Sequence, residues 1–319
     1  MREKKLRPRF AADQKTVKIG DITVGGIPGD NPVLLVGSLF YHGDRLLIDE
    51  RKGVVDKEKA RKQLVEAKML AEEYGVYFAV DLILPSTESV GNIMSFAAEF
   101  EDLVLFLDSP DPNARIRAYS LAREYGIISR VVANGIYTNT AESELEALRD
   151  ASISTAVLLA FDPANPHQSM MPSDRLRVLE EKLLPLAKKA SIENILVDAV
   201  VLDPASIGIS ASTIKLIKDK YGFPSGCAPA NALGPVSKTR FKIEEVAGIH
   251  GGTAVFLRLM GADFIMYGPV KRIKYVAPAV AFADGLLGYL ARYEGVRISR
   301  KHPLRKILKN VQKMFTSSS

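Results

Sequence analysis

The chain is poor in the residues that build disulfide frameworks and metal sites. Its 319 residues include one cysteine, Cys227, and no tryptophan. A single thiol excludes an intramolecular disulfide and any multi-cysteine zinc site, and it suits a reducing compartment. The four histidines, His42, His167, His250 and His302, are scattered, so no metal ligands are assigned. No Gly-x-Gly-x-x-Gly follows the first apolar run, where Val36-Gly37-Ser38-Leu39 stands instead, and there is no Gly-Lys-Ser phosphate loop. The N-terminus carries charge where an export signal needs an apolar core. The longest apolar stretch, near 276–291, is interrupted by Pro278 and Asp284 and is expected to fall short of a membrane span. A cytoplasmic protein is expected.

Composition is otherwise ordinary, at 47% hydrophobic and 25% charged, which argues against disorder, collagen or a coiled coil. The net charge of +6 is misleading. Residues 296–319 hold seven basic residues and no acid, and residues 1–9 add +4, so the body of the chain is −5. The basic ends therefore do not describe a nucleic-acid-binding fold.

Short apolar runs alternate with helical patterns along most of the length. Runs at 33–40, 77–82, 103–108, 130–136, 156–161, 195–201, 224–228 and 263–267 read as strands, and unbroken apolar character suits strands covered on both faces. Between them, Asp56 and Gly75 bracket one helix and Asp111-Pro112 and Gly126 another. Glu73-Tyr74-Gly75, Glu124-Tyr125-Gly126 and Lys220-Tyr221-Gly222 each close a helix just before a strand. Eight strand–helix units of one composition predict an α/β fold, a single (β/α)8 TIM barrel over 33–295, with a doubly wound open sheet as the rival. Residues 1–32, with turn signals at Gly25-Gly26 and Pro28-Gly29, are expected to form a hairpin under the barrel floor. Residues 296–319 form a basic tail in which Leu304, Ile307, Leu308, Val311 and Phe315 recur at helical spacing. That helix either folds back on the barrel or docks to an acidic partner or an anionic membrane surface.

Active sites of such barrels lie at the C-terminal ends of the strands. That rule selects Asp81, Asp108, Asn134, Asp198 and Asn231; the separations from Asp81 to Asp108 and from Asp108 to Asn134, 27 and 26 residues, are each about one βα unit. Asp56, Asp111 and Asp174 are better read as helix caps. Asp81, Asp108 and Asp198 follow apolar strand residues, where burying a carboxylate without a purpose is costly. The set offers many acceptors, two carboxamides and no evident cation cluster, which fits a flat heterocycle with an aminopyrimidine edge better than a sugar or phosphate.

These residues carry a resemblance. Pro32-Val33-Leu34-Leu35-Val36-Gly37-Ser38, Leu107-Asp108-Ser109, Ile195-Leu196-Val197-Asp198, the run from Gly222-Phe223-Pro224 to Ala230-Asn231-Ala232, and Gly261-Ala262-Asp263-Phe264-Ile265-Met266-Tyr267-Gly268-Pro269 resemble the family of H subunits of tetrahydromethanopterin S-methyltransferase. The resemblance spans residues 16–290 in one order. It implies a pterin-binding barrel that moves a methyl group between N5 of methyl-tetrahydromethanopterin, or methyl-tetrahydrofolate, and the Co(I) of a cobalamin-type corrinoid on a partner protein. In methanogenesis such a subunit belongs to a membrane complex, so the resemblance also implies further subunits and a peripheral membrane association. Asp81, Asp108, Asn134 and Asp198 match the positions where the wider group holds the pterin ring, and Asn231 matches an asparagine near the methylated nitrogen. On that basis Asn231 and Asp81 are assigned to catalysis, and Asp108, Asn134 and Asp198 to pterin binding. Two departures stand out: Ala133-Asn134-Gly135 replaces Tyr-Asn-Ser, and Ala230 is smaller than the residue usual there.

The short side chains Gly135, Gly226, Ala228 and Ala230 fit either an open mouth for a corrinoid domain or tight turns. The small residues of Ala247-Gly248-Ile249-His250-Gly251-Gly252-Thr253-Ala254 fit either a homodimer contact or internal packing. Three other readings stay open: a soluble methyltetrahydrofolate:corrinoid protein methyltransferase, a dihydropteroate synthase-like enzyme, and a non-catalytic assembly subunit. The second is disfavoured because Asn231 stands where that chemistry expects lysine.

Overall fold

All eight apolar runs become parallel strands of one closed barrel. In a computed structural model that describes residues 6–308, the strands run β1 (Thr16–Ile19), β2 (Ile22–Gly25), β3 (Leu34–Leu39), β4 (Leu47–Asp49), β5 (Val54–Val55), β6 (Tyr77–Ile83), β7 (Val104–Asp108), β8 (Val131–Ile136), β9 (Thr155–Leu159), β10 (Asn194–Asp198), β11 (Ser225–Cys227) and β12 (Phe264–Pro269). The helices are α1 (Lys57–Tyr74), α2 (Val90–Ala98), α3 (Pro112–Glu124), α4 (Glu142–Asp150), α5 (Pro172–Val178), α6 (Leu184–Lys189), α7 (Ser206–Tyr221), α8 (Ala230–Leu233), α9 (Ile243–Leu259) and α10 (Ile273–Tyr293). Strands β3 and β6 to β12 pair in sequence order, and β12 closes back onto β3. The open-sheet alternative is excluded by that last pairing. β4 and β5 form a separate small hairpin between β3 and α1.

Local chemistry sets the element ends as the sequence predicts. The Asp56 carboxylate accepts from the Lys59 amide at the start of α1, and Asp111 accepts from Asn113 ahead of α3. Asp174 accepts from the Met171 amide at the start of α5. Gly75, Gly126 and Gly222 take left-handed φ values of 75°, 69° and 65°, a conformation that side-chain-bearing residues adopt at a cost.

The interior splits into two layers. Leu34, Val36, Phe106, Val132, Val157, Leu196 and Phe264 point inward and fill the barrel, and the outward residues of the same strands pack under the helices. The hairpin of β1 and β2 adds Val17, Ile19 and Val24 to the inward cluster from below. Its backbone is tied to the floor by Lys15 N–H to Gly222 O and Gly20 N–H to Ser129 O, both 2.8 Å. A buried ionic network reinforces this end: Lys218 meets Asp263 at 2.6 Å, Arg258 meets Asp284 at 2.6 Å, and Asp284 accepts from the Val33 amide at 2.7 Å.

Two sequence expectations need correction. The 24 residues Val270–Tyr293, with mean hydropathy 1.2, are long and apolar enough to cross a membrane by those criteria. Half of those residues are buried inside the fold, and Asp284 among them is fully buried against Arg258. In the tail, Leu304–Leu308 is one π-helical turn rather than the start of a regular α-helix. Leu304 and Leu308 pack with Ala291 and Ile298, so this part folds back on the barrel; Val311 and Phe315 lie outside the described residues.

Candidate active site at the C-terminal mouth of the barrel

Parallel strands in register deliver their last residues to the same rim. Asp81 pairs across from Ser38, and Asp108 lies beside Asn134 in the β7–β8 register. All five residues selected from the sequence (Asp81, Asp108, Asn134, Asp198 and Asn231) line one cavity of about 140 Å3, together with Ser38, Tyr137, Leu159, Ala228, Ala230 and Met266. Among the described residues, no lysine or arginine lines it.

The carboxylates are held differently. Asp81 accepts from Ser38 Oγ at 2.9 Å through one oxygen and from Asn134 Nδ2 at 3.1 Å through the other. Asp198 accepts from the Val200 amide at 2.7 Å through Oδ1, which leaves Oδ2 for a ligand. That contact requires Val200 to adopt φ of 53°, unfavourable for a β-branched residue. Arg175, fully buried beneath the loop, holds the turn by donating to the carbonyls of Ala199 and Val200. Asn231 differs again. It is exposed at the start of the short α8, and its side chain makes no hydrogen bond among the described residues.

Arg115 stands behind Asp108. Its guanidinium makes a two-point pair with Glu144, Nε–Oε1 at 2.5 Å and Nη2–Oε2 at 2.8 Å, donates to the Ser109 carbonyl, and lies 5.2 Å from the Tyr137 ring centre. Tyr137 is thereby fixed as one wall of the cavity.

Three buried acids in one cavity cannot all ionise easily. Burial pushes Asp81 up to about 6, against the lowering effect of its bonds from Ser38 and Asn134. Burial likewise pushes Asp198 up to about 6, opposed by the Val200 amide and Arg175. Asp108 is driven well above the usual carboxylate range, first by burial and then by the charge of Asp81, with Arg115 opposing. A carboxyl raised in this way favours the folded state at low pH, and that advantage is lost as pH rises through its folded-state value. Replacing Asp198 by asparagine removes this penalty. Asp198→Asn is therefore expected to gain stability relative to the unsubstituted protein between about pH 4 and pH 7. Urea unfolding of both proteins across that range would show an unchanged difference if the carboxyl were not displaced.

The short residues divide into two roles. A Cβ on Gly226 would collide with the Phe264 carbonyl and ring, and one on Gly135 would lie 2.6 Å from the Val157 carbonyl, so both serve close strand approach. Ala228 and Ala230 instead line the cavity. Sequence reasoning did not single out Ser38 or Tyr137 as site residues. Ser38 was detectable from its place beside the end of the first strand. Tyr137 follows Asn134 by three residues and carries no comparable signal.

The closed (β/α)8 barrel is similar in fold to solved dihydropteroate synthases. The Yersinia pestis dihydropteroate synthase solved with a pterine–sulfa conjugate superposes with a TM-score of 0.59 at 11% identity, covering 85% of this chain and 99% of that one. The Thermus thermophilus enzyme with 4-aminobenzoate gives 0.54 at 14%, covering 85% and 100%. These likenesses concern the fold alone. The sequence goes further: residues 12–299 match the family described as tetrahydromethanopterin S-methyltransferase MtrH subunit, and the chain belongs to that family. It is 28% identical to the H subunit of tetrahydromethanopterin S-methyltransferase from Methanothermobacter thermautotrophicus, over 94% of this chain and 99% of the relative. A Methanosarcina barkeri protein named as the H subunit of an mtx methyltransferase is 26% identical with the same coverage.

Proposed function

We infer that this protein is a methyltransferase that takes the methyl group from N5 of a methylated tetrahydropterin and delivers it to the Co(I) of a corrinoid carried by a separate protein. The convergence of Asp81, Asp108, Asn134, Asp198 and Asn231 on one cavity, in a chain of the MtrH family, carries this reading. The volume of about 140 Å3 is below the ~300–1,000 Å3 typical of drug-sized ligands and suits a ring system whose tail leaves through the mouth. The donor set fits that ring. The free oxygen of Asp198 can accept from the aminopyrimidine edge, and Asp108, pushed toward its protonated form, can donate.

The transfer breaks the N5–CH3 bond, whose electron pair stays on nitrogen, while the methyl carbon gains its new bond from the electron pair of Co(I). The amine is a poor leaving group until N5 gains positive character. Asn231 is assigned to hydrogen-bond N5 as that charge develops, and Asp81 to supply the proton directly or through water. Asp108, Asn134 and Asp198 fix the ring in line. The division into a 1–32 extension, a catalytic 33–295 barrel and a 296–319 tail belongs to the same proposal.

The testing experiment is methyl transfer from labelled methyl-tetrahydromethanopterin or methyl-tetrahydrofolate to free reduced cobalamin. Absence of label on cobalamin with both donors would overturn the assignment. Asp198→Ala is expected to weaken pterin binding about 10- to 100-fold, the loss of a charge-assisted hydrogen bond, with a much smaller change in rate at saturation. Calorimetry and saturation kinetics separate the two.

The relatives named as subunits make association with further subunits part of the proposal, including a corrinoid protein over the mouth and membrane components that would hold the chain peripherally. A homodimer is also proposed. Gly251 packs internally, where a Cβ would lie 3.0 Å from that of Ala279. Gly248, Gly252, Phe256 and Leu259 of α9, however, are exposed, as are Phe282, Leu286 and Tyr293 of α10, the helix packed against it. Covering an apolar face of that extent is favourable. Leu286→Arg is expected to shift the sedimentation mass from dimer to monomer; an unchanged mass removes this face from consideration.

A further inference from the structure

At the opposite end of the barrel from the active site, the C-terminus of α10 and the segment after it form a groove of about 470 Å3. Four arginines, Arg292, Arg297, Arg300 and Arg305, line it with Ser299, and no carboxylate among the described residues does. Three buried arginines of the fold, by contrast, are paired with carboxylates. Arg7 is neutralised by Glu294 and Asp30, Arg115 by Glu144, and Arg258 by Asp284. None of the four groove arginines makes an ion pair with a carboxylate among the described residues. The Nε of Arg305 is moreover buried without a hydrogen-bond acceptor among the described residues, an arrangement that is unfavourable until an acceptor arrives.

The groove is built rather than incidental. Ile298, Leu304 and Leu308 are buried against Ala291, and His302 is fully buried, so the backbone that carries Arg297, Arg300 and Arg305 is anchored on both sides. Close placement of four like charges raises the free energy of the empty groove, and an anion relieves it. Guanidinium groups present paired donors that match phosphate oxygens two at a time. The volume exceeds the need of a single phosphate, and four cations exceed its charge.

We propose that this groove binds a phosphorylated polyanionic ligand, with at least two guanidinium groups engaging phosphate oxygens and Arg305 Nε gaining its missing acceptor. The shared chemistry is phosphate; it comes either from a diphosphate-bearing small molecule or from anionic lipid headgroups at a membrane surface. The site stands apart from the methyl-transfer cavity and does not depend on that assignment.

The test uses the full-length protein and two probes: inorganic pyrophosphate by calorimetry at low salt, and sedimentation with vesicles of phosphatidylglycerol in phosphatidylcholine against pure phosphatidylcholine. The variants are Arg297→Glu/Arg300→Glu and, as a charge control on the outer face of α1, Lys62→Glu. Arg297, Arg300 and Lys62 are exposed, and a urea-unfolding midpoint unchanged in both variants serves as the folding check. Saturable pyrophosphate binding that the double variant weakens at least tenfold, and Lys62→Glu does not, supports the site with a soluble ligand. Retention on phosphatidylglycerol vesicles alone, lost in the double variant and kept in Lys62→Glu, supports it with lipid headgroups. Binding of neither probe, or equal loss in both variants, overturns it.

Discussion

Replacing Asn231 by alanine is expected to lower the methyl-transfer rate by about 10²- to 10³-fold, the usual consequence of losing one preorganised polar contact to developing charge. Pterin affinity should change only a few-fold. The two effects separate because Asn231 is placed unlike the other site residues. It sits exposed on α8, and no side-chain hydrogen bond to the described protein ties it down. Asn134, by contrast, spends its amide on Asp81 at 3.1 Å and is buried. Removing Asn231 therefore leaves no buried partner stranded, and its cost falls on the step in which N5 becomes cationic. Single-turnover transfer to cobalamin, with pterin affinity measured by calorimetry, is the check. Equal losses in both quantities would return Asn231 to simple binding.

The largest stability effect is expected at Glu144, some distance from any reacting atom. Glu144→Ala strips the partner from Arg115, whose side chain is only 6% exposed and whose two-point pair with Glu144 is almost dry. Breaking one half of a buried pair typically costs about 3–5 kcal/mol, because the remaining charge stays buried. The double substitution Arg115→Leu/Glu144→Leu should lose less than the single one, since it leaves no charge unpaired. Urea unfolding of the unsubstituted protein and the two variants decides this; a double variant at least as unstable as the single one would contradict it. The single variant should also weaken pterin binding, because Arg115 stands against the Tyr137 ring and holds the Ser109 carbonyl next to Asp108.

Much of this protein is legible along the chain. The eight barrel strands start and stop within a few residues of the apolar runs, because continuous burial on both faces leaves a strong one-dimensional trace. The cap residues Asp56 and Asp111 act locally, through amides two or three positions on, so short-range sequence suffices to place them. The site acids were found because strand ends of a barrel converge by topology, whatever their separation in sequence.

Other features left no such trace. Arg115, Arg175 and Lys218 look like ordinary solvent-facing residues of helices, yet all three are buried. Their partners Glu144, Ala199 and Asp263 lie 24 to 45 residues away, across helix–strand packing that periodicity does not encode. The small-residue stretch of α9 likewise admitted two readings, and only packing against α10 separated Gly251 from Gly248 and Gly252. The basic tail illustrates the same division: its charge is countable in sequence, whereas the anchoring of Leu304 and Leu308, and with it the arginine groove, exists only once α10 is in place.

By itself, then, the sequence determined the number and order of the barrel strands, the helix-closing turns before several of them and the chemical character of the mouth. These follow from the hydrophobic pattern and from hydrogen bonds that span a few residues. The tertiary structure alone decided which acid sits in the grip of Ser38 and Asn134, which keeps an oxygen free, and which arginines are neutralised. The reason is physical: burial and through-space charge depend on distances between residues far apart in the chain, and those distances are set only when the barrel closes.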